Sequence, residues 1–216
     1  MKEHRIVEAN QHLIENATRS TLPSGDTLFT DVGSNAVVMA VGRGYIDYLP
    51  ELMGLIDFKA TNTRRLSGRG TKSKTAWVFP TQLQDGTKVA VKVKRDKGWA
   101  ESAVPMWMGG IDAFSAVRTL EGEGIDSVDI LLATENVIIT TWSDDPEINL
   151  SDPDEAAEWR EFEAKLLGLE DALVNAASNH ASRDWHFSWR VDTLPENYRK
   201  REGKFVAIDP VWLGVV

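Results

Sequence analysis

The sequence predicts an α+β protein of two lobes, an antiparallel sheet in the first lobe and a small helical second lobe, preceded by a helical extension. Two runs of β type, TAWVFPTQL and TKVAVKVK, flank the pair Asp85-Gly86. An Asp-Gly pair between such runs is a strong hairpin signal. After them, DAFSAVRTLE reads as a helix that ends at Gly122, and VDILLATENVIITTW reads as two strands joined at Glu135-Asn136.

A second helix pattern opens the last third of the chain. Asp152 is a favourable N-cap and Pro153 suits the first helical position. The apolar residues from Ala156 to Ala177 then form one stripe, which predicts a helix to about Ser178. Trp159 lies on this stripe, so we expect it in a core.

Three segments follow from these changes of pattern. We expect a helical N-terminal extension over residues 1–58, a sheet-containing lobe over 59–142 and a short second lobe over 143–216. The extension is assigned helices because Ile6, Leu13 and Ala17 follow helical spacing, and because residues 36–56 are apolar with glycine and proline interruptions.

Composition limits the class of protein. The chain has 216 residues, 42% hydrophobic and 26% charged, which is typical of a globular protein with one large domain or two small lobes. No apolar run approaches the roughly 20 residues that cross a bilayer, and the charged start is unlike a signal peptide. Without cysteine, disulfides and thiolate metal sites are excluded. We expect a cytoplasmic protein.

Charge is distributed unevenly along the chain. Ten basic residues lie between Arg64 and Lys97, whereas sixteen acidic residues lie between Glu121 and Asp171. The acidic half argues against nonspecific DNA binding and leaves a basic pocket for a small phosphate ligand, such as a nucleotide. The acidic segment itself is either a solvated face or a surface for a basic partner protein.

Four sequence elements suggest nucleotide chemistry, and the first two lie in the basic segment. Gly68 and Gly70 in LSGRGTKSKTAW would let the backbone approach a phosphate, with Ser73 in the same loop as a further nucleotide contact. Lys92 ends the apolar run VAVK and is placed to hold phosphates as a point charge. The alternatives are an ordinary turn and a solubilising lysine on an edge strand.

The other two elements lie near the end of the chain. In SRDWHFSW, Asp184 is a candidate for the base that accepts the proton of an acceptor hydroxyl, and His186 flanks it. In the run FVAIDP, Asp209 leaves a strand end where a carboxylate could hold Mg²⁺.

These elements resemble a known family. LSGRGTKSKTAW followed by VAVK resembles the glycine-rich loop and strand lysine of protein kinases, and LEGEGIDSVDILLATENVIITTW resembles aminoglycoside-type phosphotransferases. The ending is similar to the early serine/threonine protein kinase of short-tailed bacteriophages. Over residues 60–212 the resemblance implies a minimal protein-kinase-like fold that uses ATP and Mg²⁺. Lys92 would bind phosphates, Asp184 and His186 would serve catalysis, and Asp209 would bind metal.

The chain also departs from this pattern. Kinases have an asparagine five residues after the catalytic aspartate, but Trp189 stands there, and Asp192 or Asn197 could replace it only if the loop is rearranged. Asp112 is the nearest candidate for the carboxylate that pairs with Lys92.

Three functions are therefore open. The first is a phage-type kinase acting on host proteins in the host cytoplasm. The second is an inactive kinase-like protein (a pseudokinase) that binds and inhibits a basic host partner. The third is an acidic interaction protein without kinase ancestry.

Overall fold

The computed structural model describes residues 14–56, 71–72, 76–94, 110–170, 187–208 and 211–215. The chain forms two compact units. The first unit comprises Met1–Arg95, Gly109–Ile111 and Asp129–Trp142, and the second comprises Asp96–Met108, Asp112–Val128 and Ser143–Val216.

The first unit is built on an antiparallel sheet. Its strands in the described residues are β1 (Ala17–Thr21), β2 (Thr27–Asp31), β3 (Val37–Val41), β4 (Thr71–Lys72), β5 (Ala76–Gln82), β6 (Lys88–Lys94), β8 (Ile130–Thr134) and β9 (Val137–Thr141). Strand β7 (Asp126–Ser127) belongs to the second unit. The spatial order of the sheet is β1-β2-β3-β8-β9-β6-β5-β4.

The predicted hairpin at Asp85-Gly86 is present between β5 and β6. Gly86 has a φ of +89°, a conformation that glycine adopts without the clash of a Cβ. The Asp85 carboxylate accepts a hydrogen bond of 2.8 Å from the Thr87 N–H, which closes the turn. The two strands predicted on either side of Glu135-Asn136 are also present, as β8 and β9.

One face of this sheet carries the core of the first unit. Alternate residues of a strand point to the same face, so Val89 and Val91 of β6 lie together with Phe79 of β5 and Ile139 of β9. Helix α1 (Leu49–Leu55) covers this face with buried apolar side chains, and the short 3-10 helix Ile46–Tyr48 precedes it.

The N-terminal extension differs from the prediction. Within its described part, residues 14–56, three strands (β1 to β3) extend the sheet, and α1 has only seven residues. Residues 1–13 lie outside the described chain. The apolar run from Val37 to Val41, expected to be part of a helix, is instead a strand that pairs with both β2 and β8. Beta-branched residues such as Val37 and Val38 suit that environment.

A buried carboxylate fixes this added part of the sheet. Asp26 is 1% exposed, and it accepts hydrogen bonds from the Ser24 hydroxyl at 2.8 Å and from the Arg43 backbone N–H at 2.9 Å. It therefore ties the turn before β2 to the loop after β3.

The second unit contains more strand than the predicted helical lobe. Its helices are α2 (Gly110–Gly122) and α3 (Pro153–Leu167), although the first two residues of α2 belong to the first unit. Besides β7, its strands are β10 (Phe187–Val191), β11 (Tyr198–Arg201), β12 (Lys204–Ala207) and β13 (Val211–Val215). Strands β10 and β13 form one sheet, and β11, β12 and β7 form another. The hairpin β11–β12 turns at Glu202 and Gly203, which both have positive φ, and β12 contains most of the β-type run that was expected before Asp209.

Helix α3 begins as predicted. The Asp152 carboxylate accepts from the backbone N–H groups of Asp154 and Glu155, at 2.9 and 3.3 Å. The helix ends at Leu167, with Gly168 as C-cap, which is earlier than Ser178. Residues 171–178 of the predicted helix lie outside the described chain.

The core of the second unit is aromatic. Trp159 of α3 is 4% exposed, as its position on the stripe predicted, and it packs at ring-centroid distances of 5.6 Å on Phe162, 5.1 Å on Tyr198 and 5.4 Å on Phe205. Helix α3 is thereby fixed against the hairpin β11–β12.

None of the helices in the described residues is long and apolar enough to span a bilayer.

The start of α2 lies unusually close to the hairpin β8–β9. A Cβ added at Gly110 would overlap the Thr134 carbonyl oxygen and would lie 2.7 Å from the Val137 carbonyl oxygen. We therefore expect Gly110→Ala to lower the free energy of unfolding by about 1–3 kcal/mol, as measured by urea unfolding. Gly122→Ala at the other end of α2 is the control, since a Cβ there meets nothing within 4 Å. Equal stability of the two variants would contradict the close packing of Gly110.

Candidate functional site

Lys92 lies on an interior strand of the sheet. Strand β6 pairs with β5 on one side and with β9 on the other, and the residues opposite Lys92 are Val78 and Ile138. Its side chain is half-buried. The alternative of a solubilising lysine on an edge strand is therefore wrong, because β6 has no open edge along Lys92.

The sheet face that carries Lys92 is lined by small and apolar side chains. By strand alternation and register, Ala90 and Pro80 lie on this face, as do Thr140 and Ala133. Val89 and Val91 point to the opposite, core face.

In the second unit, the loop from Asp192 to Asn197 is held in one conformation by its own hydrogen bonds. The Asp192 carboxylate accepts from the Leu194 N–H at 2.9 Å. The Asn197 N–H donates to the Leu194 carbonyl at 2.9 Å and closes a short 3-10 helix, Pro195–Asn197. Asp192 and Asn197 are both half-buried.

Two further contacts anchor this loop to the aromatic core and to β12. The hydroxyl of Tyr198 donates to the Asp192 carbonyl oxygen at 2.7 Å. The Ile208 N–H donates to the Asn197 carbonyl oxygen at 2.9 Å. Asn197 is therefore hydrogen-bonded to the residue that directly precedes Asp209 in the sequence.

The sequence analysis named Asp192 and Asn197 only as possible replacements for Trp189 and not as one loop. Asp192-Thr-Leu-Pro-Glu-Asn197 has an asparagine five residues after an aspartate, the spacing of the kinase catalytic loop. Counted from Asp184, the same spacing reaches Trp189. The backbone of Trp189 lies in β10, paired with Leu213 of β13. The signal was present in the sequence, although it was obscured because Asp192 lacks the His-Arg pair that normally precedes the catalytic aspartate.

Most other predicted site residues lie outside the described chain: Gly68, Gly70, Ser73, Asp184, His186 and Asp209. Their assigned roles stay predictions. Strands β4 and β5 are paired, and residues 73–75 connect them in the sequence. This connection includes Ser73, whereas Gly68 and Gly70 precede β4.

The carboxylates of α2 have different surroundings. Glu121, in the last turn, accepts from Arg118 at 2.7 Å and from the Ser127 hydroxyl at 2.6 Å. Asp112 lies in the first turn, two residues after Gly110. The pairing of Asp112 with Lys92 that the sequence suggests stays a prediction.

The acidic segment is partly neutralised within the second unit. Three successive residues of β11 pair with its carboxylates: Arg199 with Glu147 at 3.4 Å, Lys200 with Glu155 at 3.8 Å and with Glu158, and Arg201 with Asp145 at 2.8 Å. These pairs reduce the acidic surface that the sequence offers to a basic partner. The pKa of Lys200 is raised by its hydrogen bond to Glu158.

The donors near the Asp192–Asn197 loop fit a hard cation. An asparagine amide oxygen and an aspartate carboxylate are the oxygen ligands that Mg²⁺ accepts, usually together with water and substrate phosphates. Within the described chain, no group of three or more His, Cys, Asp or Glu side chains converges as a metal site.

No protein-family model and no curated protein sequence matches the chain. Among solved structures, it is similar to the Rio2 kinase-ADP/Mg²⁺-phosphoaspartate complex from Chaetomium thermophilum, with 14% identity and a TM-score of 0.46, over 100% of this chain and 70% of that one. It is also similar to an amicoumacin kinase in complex with AMP-PNP, Ca²⁺ and Ami, with 9% identity and a TM-score of 0.36, over 68% of this chain. The match covers 60% of the amicoumacin kinase. Both TM-scores are below 0.5, so neither similarity carries an argument about function.

The ion pair of Asp145 makes a pH-dependent contribution to stability. Hydrogen bonds from Arg201 and then from the Ser143 hydroxyl lower the pKa of Asp145. Because the folded-state pKa is lowered, the stabilisation is present above the ordinary aspartate pKa of about 3.9 and is lost as the pH falls through the folded-state pKa. We expect Asp145→Asn to lower the urea midpoint at neutral pH, by an amount that shrinks on acidification. Glu161→Gln, at an exposed position of α3, is the control. A pH-independent difference between Asp145→Asn and the parent would contradict this assignment.

Proposed function

We propose that the protein is an ATP- and Mg²⁺-dependent phosphotransferase of protein-kinase-like fold, in which Lys92 holds the phosphates and Asp192 is the catalytic base. The observation that carries the proposal is the hydrogen bond between Ile208 and Asn197. It joins Asn197, at the end of the loop that has the aspartate-to-asparagine spacing of kinases, to Ile208, which follows β12 and directly precedes Asp209.

The order of elements supports this proposal. Strands β4, β5 and β6 form three consecutive antiparallel strands with Lys92 on the third, and helix α2 follows β6 along the chain. Kinases carry the phosphate-binding lysine on the third strand, and a helix that supplies its carboxylate partner follows.

Each proposed residue has a defined role. The Asp192 carboxylate would accept the proton of the attacking hydroxyl, and Lys92 would neutralise charge on the nucleotide phosphates. Asn197 and Asp209 would hold Mg²⁺, which would offset the charge of the phosphates. Asp192 takes the role that the family resemblance first suggested for Asp184, because the residue five positions after Asp184 is Trp189, within a paired strand.

For the acceptor, we propose serine or threonine in host proteins, as in the phage kinases that the sequence resembles. A pseudokinase that blocks a basic host partner is the second candidate. The residual acidic surface of α3, with exposed Asp154 and Glu161, favours this candidate. The ion pairs of β11 weaken it, since they already neutralise part of the segment.

Nucleotide binding through Lys92 is tested by thermal shift. ATP with Mg²⁺ at a hundred times the dissociation constant stabilises a protein by about 2.7 kcal/mol, and Lys92→Met should remove most of the resulting rise in melting temperature. Lys88→Met is the matched control, because Lys88 lies on the same strand and the same sheet face but is exposed. An equal shift in both variants would show that Lys92 does not hold the nucleotide.

Phosphoryl transfer separates the two candidate bases. With labelled ATP and a host extract, we expect Asp192→Asn to reduce labelling by about 10²- to 10⁴-fold while nucleotide affinity stays nearly constant. Asp184→Asn should retain most of the activity, and Asp209→Asn should lose both transfer and nucleotide affinity.

The opposite pattern, with activity lost in Asp184→Asn and retained in Asp192→Asn, would assign the base to Asp184. If the parent protein labels nothing with Mg²⁺ or Mn²⁺, the phosphotransferase proposal is wrong and the pseudokinase remains.

A further inference from the structure

Tyr198 links the aromatic core of the second unit directly to the backbone of the proposed catalytic base. We propose that Tyr198 is a positioning residue for Asp192, an inference that rests on the proposed function of that loop. No element of the sequence motif requires a tyrosine at this position.

The ring of Tyr198 is fixed on several sides. Its side chain is completely buried, and it packs edge-on against Trp159 at 5.1 Å and Phe162 at 5.5 Å, both on helix α3. Strand β11 holds its backbone opposite Ala207 of β12. A ring held in this way has little freedom to rotate, so the position of its hydroxyl is determined by the core.

The hydroxyl transmits that position to the loop. It donates to the main-chain carbonyl oxygen of Asp192 at 2.7 Å. Asp192 also follows Val191, which is 5% exposed and belongs to the same apolar cluster. The backbone of Asp192 is therefore fixed by burial on one side and by a short hydrogen bond on the other, and its carboxylate is oriented by the Leu194 N–H.

The same residue also fixes the other end of the loop. Tyr198 directly follows Asn197, and its pairing with Ala207 brings Asn197 opposite Ile208. One side chain and its backbone thus set the separation between the proposed base and the proposed metal ligand. Displacement of a catalytic group by about 1 Å can cost roughly 10²-fold in rate. We therefore expect loss of the Tyr198 hydrogen bond to lower the rate of phosphoryl transfer.

A purely structural explanation also exists, because a buried tyrosine hydroxyl usually has a hydrogen-bond partner. The two explanations predict different kinetics. A structural hydroxyl affects the stability of the whole unit but not the folded active site, whereas a positioning hydroxyl affects the chemical step in protein that is fully folded.

The test is Tyr198→Phe, which removes the hydroxyl and keeps the ring in the core. At a temperature where the variant is fully folded, we expect kcat to fall about tenfold or more, with KM for ATP unchanged within about twofold. Tyr48→Phe is the matched control: it removes a tyrosine hydrogen bond of 2.9 Å to Asp85, in the first unit. That control should keep the parent kcat.

Hydrogen exchange gives a second readout that needs no activity. In Tyr198→Phe the amide of Leu194, which is bonded to the Asp192 carboxylate, should exchange faster than in the parent. The amides of β8 and β9 should keep their protection and so confirm folding. An unchanged kcat, or an unchanged Leu194 exchange rate, overturns the positioning role while leaving the phosphotransferase proposal intact. A parent protein with no transfer activity overturns the proposed function and the kinetic part of this inference together.

Discussion

The proposed site depends on two hydrogen bonds that hold together the segment from Asp192 to Ile208. One runs from the Tyr198 hydroxyl to the Asp192 carbonyl oxygen, and the other runs from the Ile208 N–H to the Asn197 carbonyl oxygen. Both depend on the hairpin β11–β12, which packs through Tyr198 and Phe205 on the aromatic residues of α3. Core packing and the geometry of the proposed site are therefore coupled through the same side chains.

A second constraint acts in the first unit. An antiparallel sheet sends alternate side chains to opposite faces, so the valines of β6 that fill the core require Lys92 to lie on the other face. The strand cannot shift its register to release the lysine, because a shift by one residue would expose Val89 and Val91 and would bury charged neighbours. The position of Lys92 thus follows from the burial of its strand neighbours.

The sequence predicted the parts of the fold that have local chemical signals. The Asp85-Gly86 turn, the strands around Glu135-Asn136 and the Asp152 cap all appear as expected. The three N-terminal strands were not predicted, because an apolar run such as VVMAV has no period that separates a strand from a buried helix. Strand β11 was not predicted because its residues YRKR are charged, and their pairing with acids distant in sequence is a tertiary effect.

The roles of the candidate site residues stay predictions. Lys92 was predicted from its position at the end of the apolar run VAVK, and Asp184 was predicted as the base from its place in the loop after the long helix. The spacing between Asp192 and Asn197 became informative once the bond between Asn197 and Ile208 placed that loop beside the end of β12. Sequence spacing alone does not reveal such a contact, because the ten residues between Asn197 and Ile208 could adopt many conformations.

Paramagnetic broadening by Mn²⁺ bound with ATP tests the central claim most directly. Mn²⁺ accepts the same oxygen ligands as Mg²⁺ and broadens the NMR signals of nearby nuclei. The account predicts that the side-chain amide of Asn197 and the backbone amide of Ile208 broaden first, at substoichiometric metal, and that Mg²⁺ reverses the effect. If these two signals stay sharp while those of another segment broaden, the metal-nucleotide complex binds elsewhere, and the assignment of the Asp192–Asn197 loop is contradicted.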